Sequence, residues 1–286
     1  MTMLQEEYVT EGFAVPKRTG LQPLPADEVH VWYAWSAEFD TPAFRTAALA
    51  LLSTEERQRH DRYVFDYLKL EYLVTRALCR GVLSRYAATL PSEWTFVANE
   101  YGRPEIAAIH DTGDLRFNLS NSRSLVACLV GREVDAGVDV ERCERLTDIA
   151  GIAEHHFSPT EVEALFALPE SERQNRFFQY WTLKESYIKA RGMGLSIPLD
   201  QFSFALDGDS IGIGFDPALD DTPAHWQFEL HRPDERHQMA VGLRHGGKAP
   251  FTVLLRAASV ESVLEWITAA RDAHDSMASW RHTESR

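Results

Sequence analysis

Apolar residues along this chain alternate with polar ones over some stretches and recur at helical spacing over others, and the two patterns come in blocks. The first 25 or so residues carry Pro16, Gly20, Pro23 and Pro25 and predict an extended tail. Val29–Trp35, apolar and aromatic, predicts a strand. Ser53-x-x-Glu56 has the spacing of a helix capping box. From Glu55 to about Tyr86 the spacing is helical, as two helices ending before Pro91. Short β-rich runs follow at Trp94–Ala98, Leu115–Leu119, Leu125–Val130 and Gly137–Glu141. The order then recurs, with helices over about Asp148–Phe157, Pro159–Ala167 and Ser171–Arg191. Strands come next near Gln201–Leu206, Trp226–Leu230, Gln238–Leu243 and Phe251–Leu255, and an amphipathic helix runs from about Val260 to Ala273. Blocks of this kind predict an α+β fold with antiparallel sheet. The recurrence suggests two similar halves, 1–130 and 131–286, each a sheet with packed helices, joined near Gly131–Ala136.

Composition narrows the function. No apolar run approaches the ~20 residues that a membrane-spanning helix needs, and residues 1–20 lack the basic start and apolar stretch of a secretory signal. Cys79, Cys128 and Cys143 are far apart and odd in number, which suits a reducing cytoplasm better than a disulfide framework. A net charge of −14 argues against non-specific nucleic-acid binding. An anionic ligand would need a local basic patch or a metal.

Several segments could carry chemistry. In Gly137-Val-Asp-Val-Glu141 strand alternation puts Asp139 and Glu141 on one face. Two adjacent carboxylates repel, so that face needs a cation, pairing with Arg142 or Arg145, or full solvation. In Tyr180–Lys189 the residues Trp181, Glu185 and Lys189 share a helical face, with Lys184 beside it. A surface Glu–Lys pair is the ordinary explanation, although the apolar surroundings of this helix make its charges expensive. Phe117-Asn-Leu-Ser-Asn-Ser122 either builds a turn or offers hydroxyls and N–H groups to a phosphate. Tyr101-Gly-Arg-Pro104 projects Arg103 from a turn. Arg57, Arg59 and Arg62 form either a solvated face or a phosphate clamp. Asp207-Gly-Asp209 reads as a hairpin turn, and Gly212-Ile-Gly214 lacks the context of a dinucleotide fingerprint.

Taken in order, Gly102-Arg-Pro104, Phe117-Asn-Leu-Ser120, Gly137-Val-Asp-Val-Glu141, Phe157-Ser-Pro-Thr-Glu161, Trp181-Thr-Leu-Lys-Glu-Ser-x-x-Lys189 and Gly192-x-Gly-Leu-x-x-Pro-Leu-x-x-Phe202 resemble the Sfp-type 4′-phosphopantetheinyl transferases. The resemblance spans about residues 53–206. It implies a pseudo-twofold α+β fold with coenzyme A between the halves. It further implies that Asp139, Glu141 and Glu185 bind Mg²⁺ and that Glu185 and Lys189 act in catalysis. Arg59, Arg103, Ser120, Asn121, Lys184 and Lys189 would contact coenzyme A. The chain departs from the pattern at Asn121, where many relatives carry histidine, and at Glu56, where a basic residue is usual.

The reaction implied is attack by a serine of an apo acyl or peptidyl carrier protein on the β-phosphorus of coenzyme A, releasing 3′,5′-ADP. Two other readings use the same residues: a silent coenzyme A or nucleotide-binding module, and a metal-dependent phosphohydrolase. The expected protein is a cytoplasmic monomer with neither nucleic-acid nor membrane partners.

Overall fold

A computed structural model describes residues 21–144 and 146–268. Arg145, the tail over residues 1–20 and the expected last turns of the final helix lie outside them. The first half comprises β1 (Glu28–Trp35), α1 (Pro42–Leu51), α2 (Thr54–Arg62), α3 (Asp66–Tyr86), β2 (Phe96–Ala98), β3 (Pro104–Ile106), β4 (Leu115–Ser122) and β5 (Leu125–Arg132). The second comprises β6 (Asp135–Arg142), α4 (Ile149–His156), α5 (Pro159–Ala167), α6 (Glu170–Arg191), β7 (Phe202–Asp207), β8 (Ser210–Phe215), β9 (Trp226–Asp234), β10 (His237–Arg244), β11 (Thr252–Ala257) and α7 (Val260–Thr268).

Two sheets lie at the centre, ordered β11-β1-β5-β4 and β6-β10-β9. Strand alternation decides which side chains go where. In β1, Val29 and Val31 face the second sheet, while Trp32 and Ala34 face the helices; β5 sends Leu125, Ala127 and Leu129 inward and Val126, Cys128 and Val130 outward. Against the inward set pack Val138, Val140, Met239, Val241 and Leu243 of β6 and β10, which closes a core between the sheets. The outer face of the first sheet carries α1, α3 and α7, and that of the second carries α6 with its aromatic cluster. Both are α+β layers, as the block pattern predicts.

The division near residue 131 needs correcting. β5 runs through that point, and β11 pairs in parallel with β1, Glu28 opposite Thr252 through Tyr33 opposite Ala257. With it α7 docks Val263, Trp266 and Ile267 into the helical core of the first half. Hydrophobic alternation marks a strand but does not name the strand it pairs with, so β11 was legible and its partner was not. Three elements escaped the pattern: α1, opened by a Thr41 cap and Pro42, and the short strands β3 and β8. Both capping boxes form, Ser53 with Glu56 and Ser158 with Glu161. The β7–β8 hairpin turns at Gly208 as expected. Among the described residues, no helix is long and apolar enough to cross a membrane.

Lys184 corrects a second expectation. It does not face a ligand: its residue is 1 % exposed and buried inside the second half. Its ammonium pairs with Glu161 at 2.7 Å and donates to the carbonyls of Leu199 and Phe202, both at 2.7 Å. Glu161 in turn accepts the Ser158 N–H at 2.9 Å and the Phe204 N–H at 2.8 Å. The pair thus ties the start of α5, the middle of α6 and the start of β7 in one satisfied network. Removing one partner of such a pair strands the other charge without water, a loss of about 3–5 kcal/mol. Lys184→Met should lower unfolding stability by about that much in urea titration, and adding Glu161→Gln should recover part of it. A change below about 1 kcal/mol for Lys184→Met would show that the pair does not hold the fold.

Candidate functional site

β4 and β6 run side by side at the junction of the two sheets, joined by side chains rather than by a backbone ladder. Asn118 Oδ1 accepts the Val138 N–H at 3.0 Å, Ser120 Oγ accepts that of Val140 at 3.2 Å, and Ser122 Oγ accepts that of Arg142 at 3.1 Å. The period of two along each strand puts all three acceptors on one face. The segment read as either building a turn or offering groups to a phosphate is instead the edge of a strand, and its small polar residues satisfy buried N–H groups.

The seam delivers Asp139 and Glu141 to α6. Gly137 makes the approach possible, since a Cβ there would collide with the Ser186 carbonyl and lie 2.6 Å from the Ala190 nitrogen. Its register partner on β10 is Gly242, also close to Ser186. The helix therefore rests on a glycine trough, with Lys189 directly over the acidic strand. Lys189 Nζ donates to Asp139 Oδ1 at 2.6 Å and to Ser120 Oγ at 2.8 Å, and Ser120 Oγ donates to Asp139 Oδ1 at 3.0 Å.

Asp139 is 4 % exposed, and its second oxygen, Oδ2, is buried without a hydrogen-bond partner. Burial, reinforced by the Asp139 charge, pushes the Glu141 carboxyl up to about 7, while the Ser122 hydroxyl and Lys189 oppose the rise. Burial and Asp139 likewise raise Glu185, against Lys189. The three carboxylates thus share one electrostatic neighbourhood. Among the described residues, however, no three Asp, Glu, His or Cys side chains are arranged as a metal-binding group. In this arrangement the Lys189 ammonium stands against Asp139.

The donor set still fits a hard divalent cation. Mg²⁺ favours one or two carboxylates completed by waters and phosphate oxygens over an all-protein cage. An orphaned carboxylate oxygen between repelling carboxylates is what such an ion relieves.

The remaining expected residues separate. Arg59 and Asn121 line one small cavity of about 110 Å³, together with Tyr63, Tyr72, Thr75 and Arg76. The Asn121 amide donates to Glu71 Oε1 at 2.6 Å, and Glu71 Oε2 accepts the Ser124 N–H at 3.1 Å. Arg76, which the sequence did not single out, has its Nε buried without a partner and its guanidinium 5.1 Å from the Tyr72 ring. Its spacing from Tyr72 on α3 was the available signal, masked because that helix reads as core nearly all round. Arg57 donates instead to the Leu49 carbonyl. Glu56, at the usual basic position, serves the capping box and pairs with Arg80 at 2.7 Å. Arg103 is not with Arg59. It donates to Glu105 at 2.8 Å and to the Ala190 carbonyl at 3.2 Å, so it caps the end of α6. It packs there over Gly192, whose positive φ completes that cap.

The model of the 4′-phosphopantetheinyl transferase superfamily matches residues 135–242, the stretch from β6 to β10. The 4′-phosphopantetheinyl transferase HetI of Nostoc sp. is 31% identical over 237 residues, covering 82% of this chain and 95% of that protein. The 4′-phosphopantetheinyl transferase Sfp of Bacillus subtilis is 32% identical over 198 residues, 69% of this chain and 84% of that one. A phosphopantetheinyl transferase of Thraustochytrium sp. is 30% identical over 237 residues, 77% and 81% of the two chains.

A cation that binds only the folded state raises its stability by mass action, about 2.7 kcal/mol at a hundredfold excess over its dissociation constant. Mg²⁺ should therefore raise the melting temperature of the wild-type chain, and Asp139→Ala should remove the rise. An equal shift in both proteins would place the cation elsewhere.

Proposed function

The chain belongs to the 4′-phosphopantetheinyl transferase superfamily, and from that premise we propose that it moves the phosphopantetheine arm of coenzyme A onto a serine of an apo acyl or peptidyl carrier protein. The observation that carries this reading is the contact of Lys189 with Asp139 and Ser120 at the seam. It gathers a buried carboxylate, a hydroxyl and a partly exposed ammonium where the two halves meet, which suits a pyrophosphate and its counter-ion.

Asp139 and Glu141 would hold Mg²⁺, which supplies charge neutralisation and alignment of the pyrophosphate. Glu185, raised by burial and by the Asp139 charge, takes a second task in this reading. Standing one helical turn before Lys189, it accepts the proton of the attacking serine, directly or through one water. As the serine oxygen forms its bond to the β-phosphorus, the bond to the adenosine-side phosphate breaks and 3′,5′-ADP leaves. Lys189 offers its charge to the phosphate oxygens as that bond weakens. Its reach to Asp139 at 2.6 Å gives it an alternative partner whenever no phosphate is there.

Arg59 and Asn121 share a cavity and receive the 3′-phosphate in this reading. Arg103, which spends its donors on Glu105 and the end of α6, shapes the site rather than binding that phosphate.

Incubation with coenzyme A, Mg²⁺ and a panel of apo-carriers should increase a carrier's mass by one phosphopantetheine, and Asp139→Ala should abolish the increase. Release of free phosphopantetheine with unmodified carriers would indicate hydrolysis. Tight coenzyme A binding with no product would indicate a binding module. Arg59→Ala should weaken coenzyme A about ten- to hundredfold, the worth of a hydrogen bond to a charged group. Dephospho-coenzyme A should be nearly unaffected, and equal losses for both ligands would remove Arg59 from the 3′-phosphate.

A further inference from the structure

The three rungs of the β4–β6 seam are alike in one respect and different in another. Each accepts a backbone N–H of β6, from Val138, Val140 and Arg142 in turn. The two serines also donate to the carboxylate of the residue just before that N–H: Ser120 to Asp139, and Ser122 to Glu141 Oε2 at 2.9 Å. The first rung has no such second bond, because the residue before Val138 is Gly137.

A serine hydroxyl has a single hydrogen to donate. With one of its two lone pairs taken by the Arg142 N–H, the Ser122 hydroxyl turns its hydrogen to Glu141. The constraint matters because a glutamate has several rotatable bonds and Asp139, two residues away on the same face, repels it. Left alone, Glu141 relaxes toward solvent.

We propose that Ser122 is a positioning residue, holding the Glu141 carboxylate at the cation position beside Asp139 while pinning β6 to β4. This rests on the reading above that Asp139 and Glu141 face a divalent cation. Outer partners that orient a metal-binding carboxylate typically govern affinity by ten- to a hundredfold. Asn118 is the internal control, since it makes the same seam bond and touches no carboxylate.

The test measures Mn²⁺ binding to the full chain in the presence of coenzyme A, by electron paramagnetic resonance of the free ion, with thermal melting alongside. Ser122→Ala should lose Mn²⁺ affinity at least tenfold. Asn118→Ala should lower the melting temperature comparably yet keep its Mn²⁺ affinity within about twofold, and Ser122→Thr, which keeps the hydroxyl, should restore binding. Wild-type affinity in Ser122→Ala, or an equal loss in Asn118→Ala, overturns the assignment and leaves the transfer reaction standing. Should Ser122→Ala fail to fold, Ser122→Cys, a much weaker donor, must show the loss, and full affinity there overturns the role. A wild-type chain that binds no Mn²⁺ removes the cation reading itself, and this assignment with it.

Discussion

Asn118, Ser120 and Ser122 accept three N–H groups of an edge strand that would otherwise be buried unpaired where the two sheets meet. An unmade hydrogen bond of that kind costs about 1–3 kcal/mol, so three of them decide whether β6 lies against β4 or swings away. Everything in the site inherits this constraint. The register that gives Ser120 the Val140 N–H also puts its oxygen within 3.0 Å of Asp139, and that position in turn brings Asp139 under Lys189. Shifting β6 by one residue would turn its carboxylates into the core between the sheets and bring Val138 and Val140 out.

Two lysines five residues apart on α6 show how packing assigns opposite tasks to one chemical group. Lys184 points into the second core, where two backbone carbonyls replace water and Glu161 neutralises it. Lys189 reaches out of the same helix at the glycine trough, a quarter exposed on its side chain, and can exchange Asp139 for another anion. The first is fully satisfied and therefore fixed. The second contacts a carboxylate that still has an unpaired oxygen, and an incompletely satisfied pair is able to respond to a ligand. The same contrast separates the arginines. Arg103 and Arg80 donate to backbone carbonyls and a carboxylate, whereas Arg59 lines a cavity with its guanidinium 6.0 Å from the Tyr72 ring.

Much of this was legible along the chain. Alternation placed Asp139 and Glu141 together, i to i+4 spacing placed Glu185 and Lys189 together, and both capping boxes declared their helices. Each of those relations spans a few residues and is set by the geometry of one strand or one turn. What the sequence left undecided spans long distances. Nothing local tells Lys184 from Lys189, or says that Arg103 will reach the end of α6 while Arg59 lines a cavity with Asn121. Nor does β11 announce that it crosses back to β1, 224 positions earlier for its first pair (252 − 28). Those outcomes were decided by which faces could be buried together and which polar groups then required partners, and only the packed chain answers both at once.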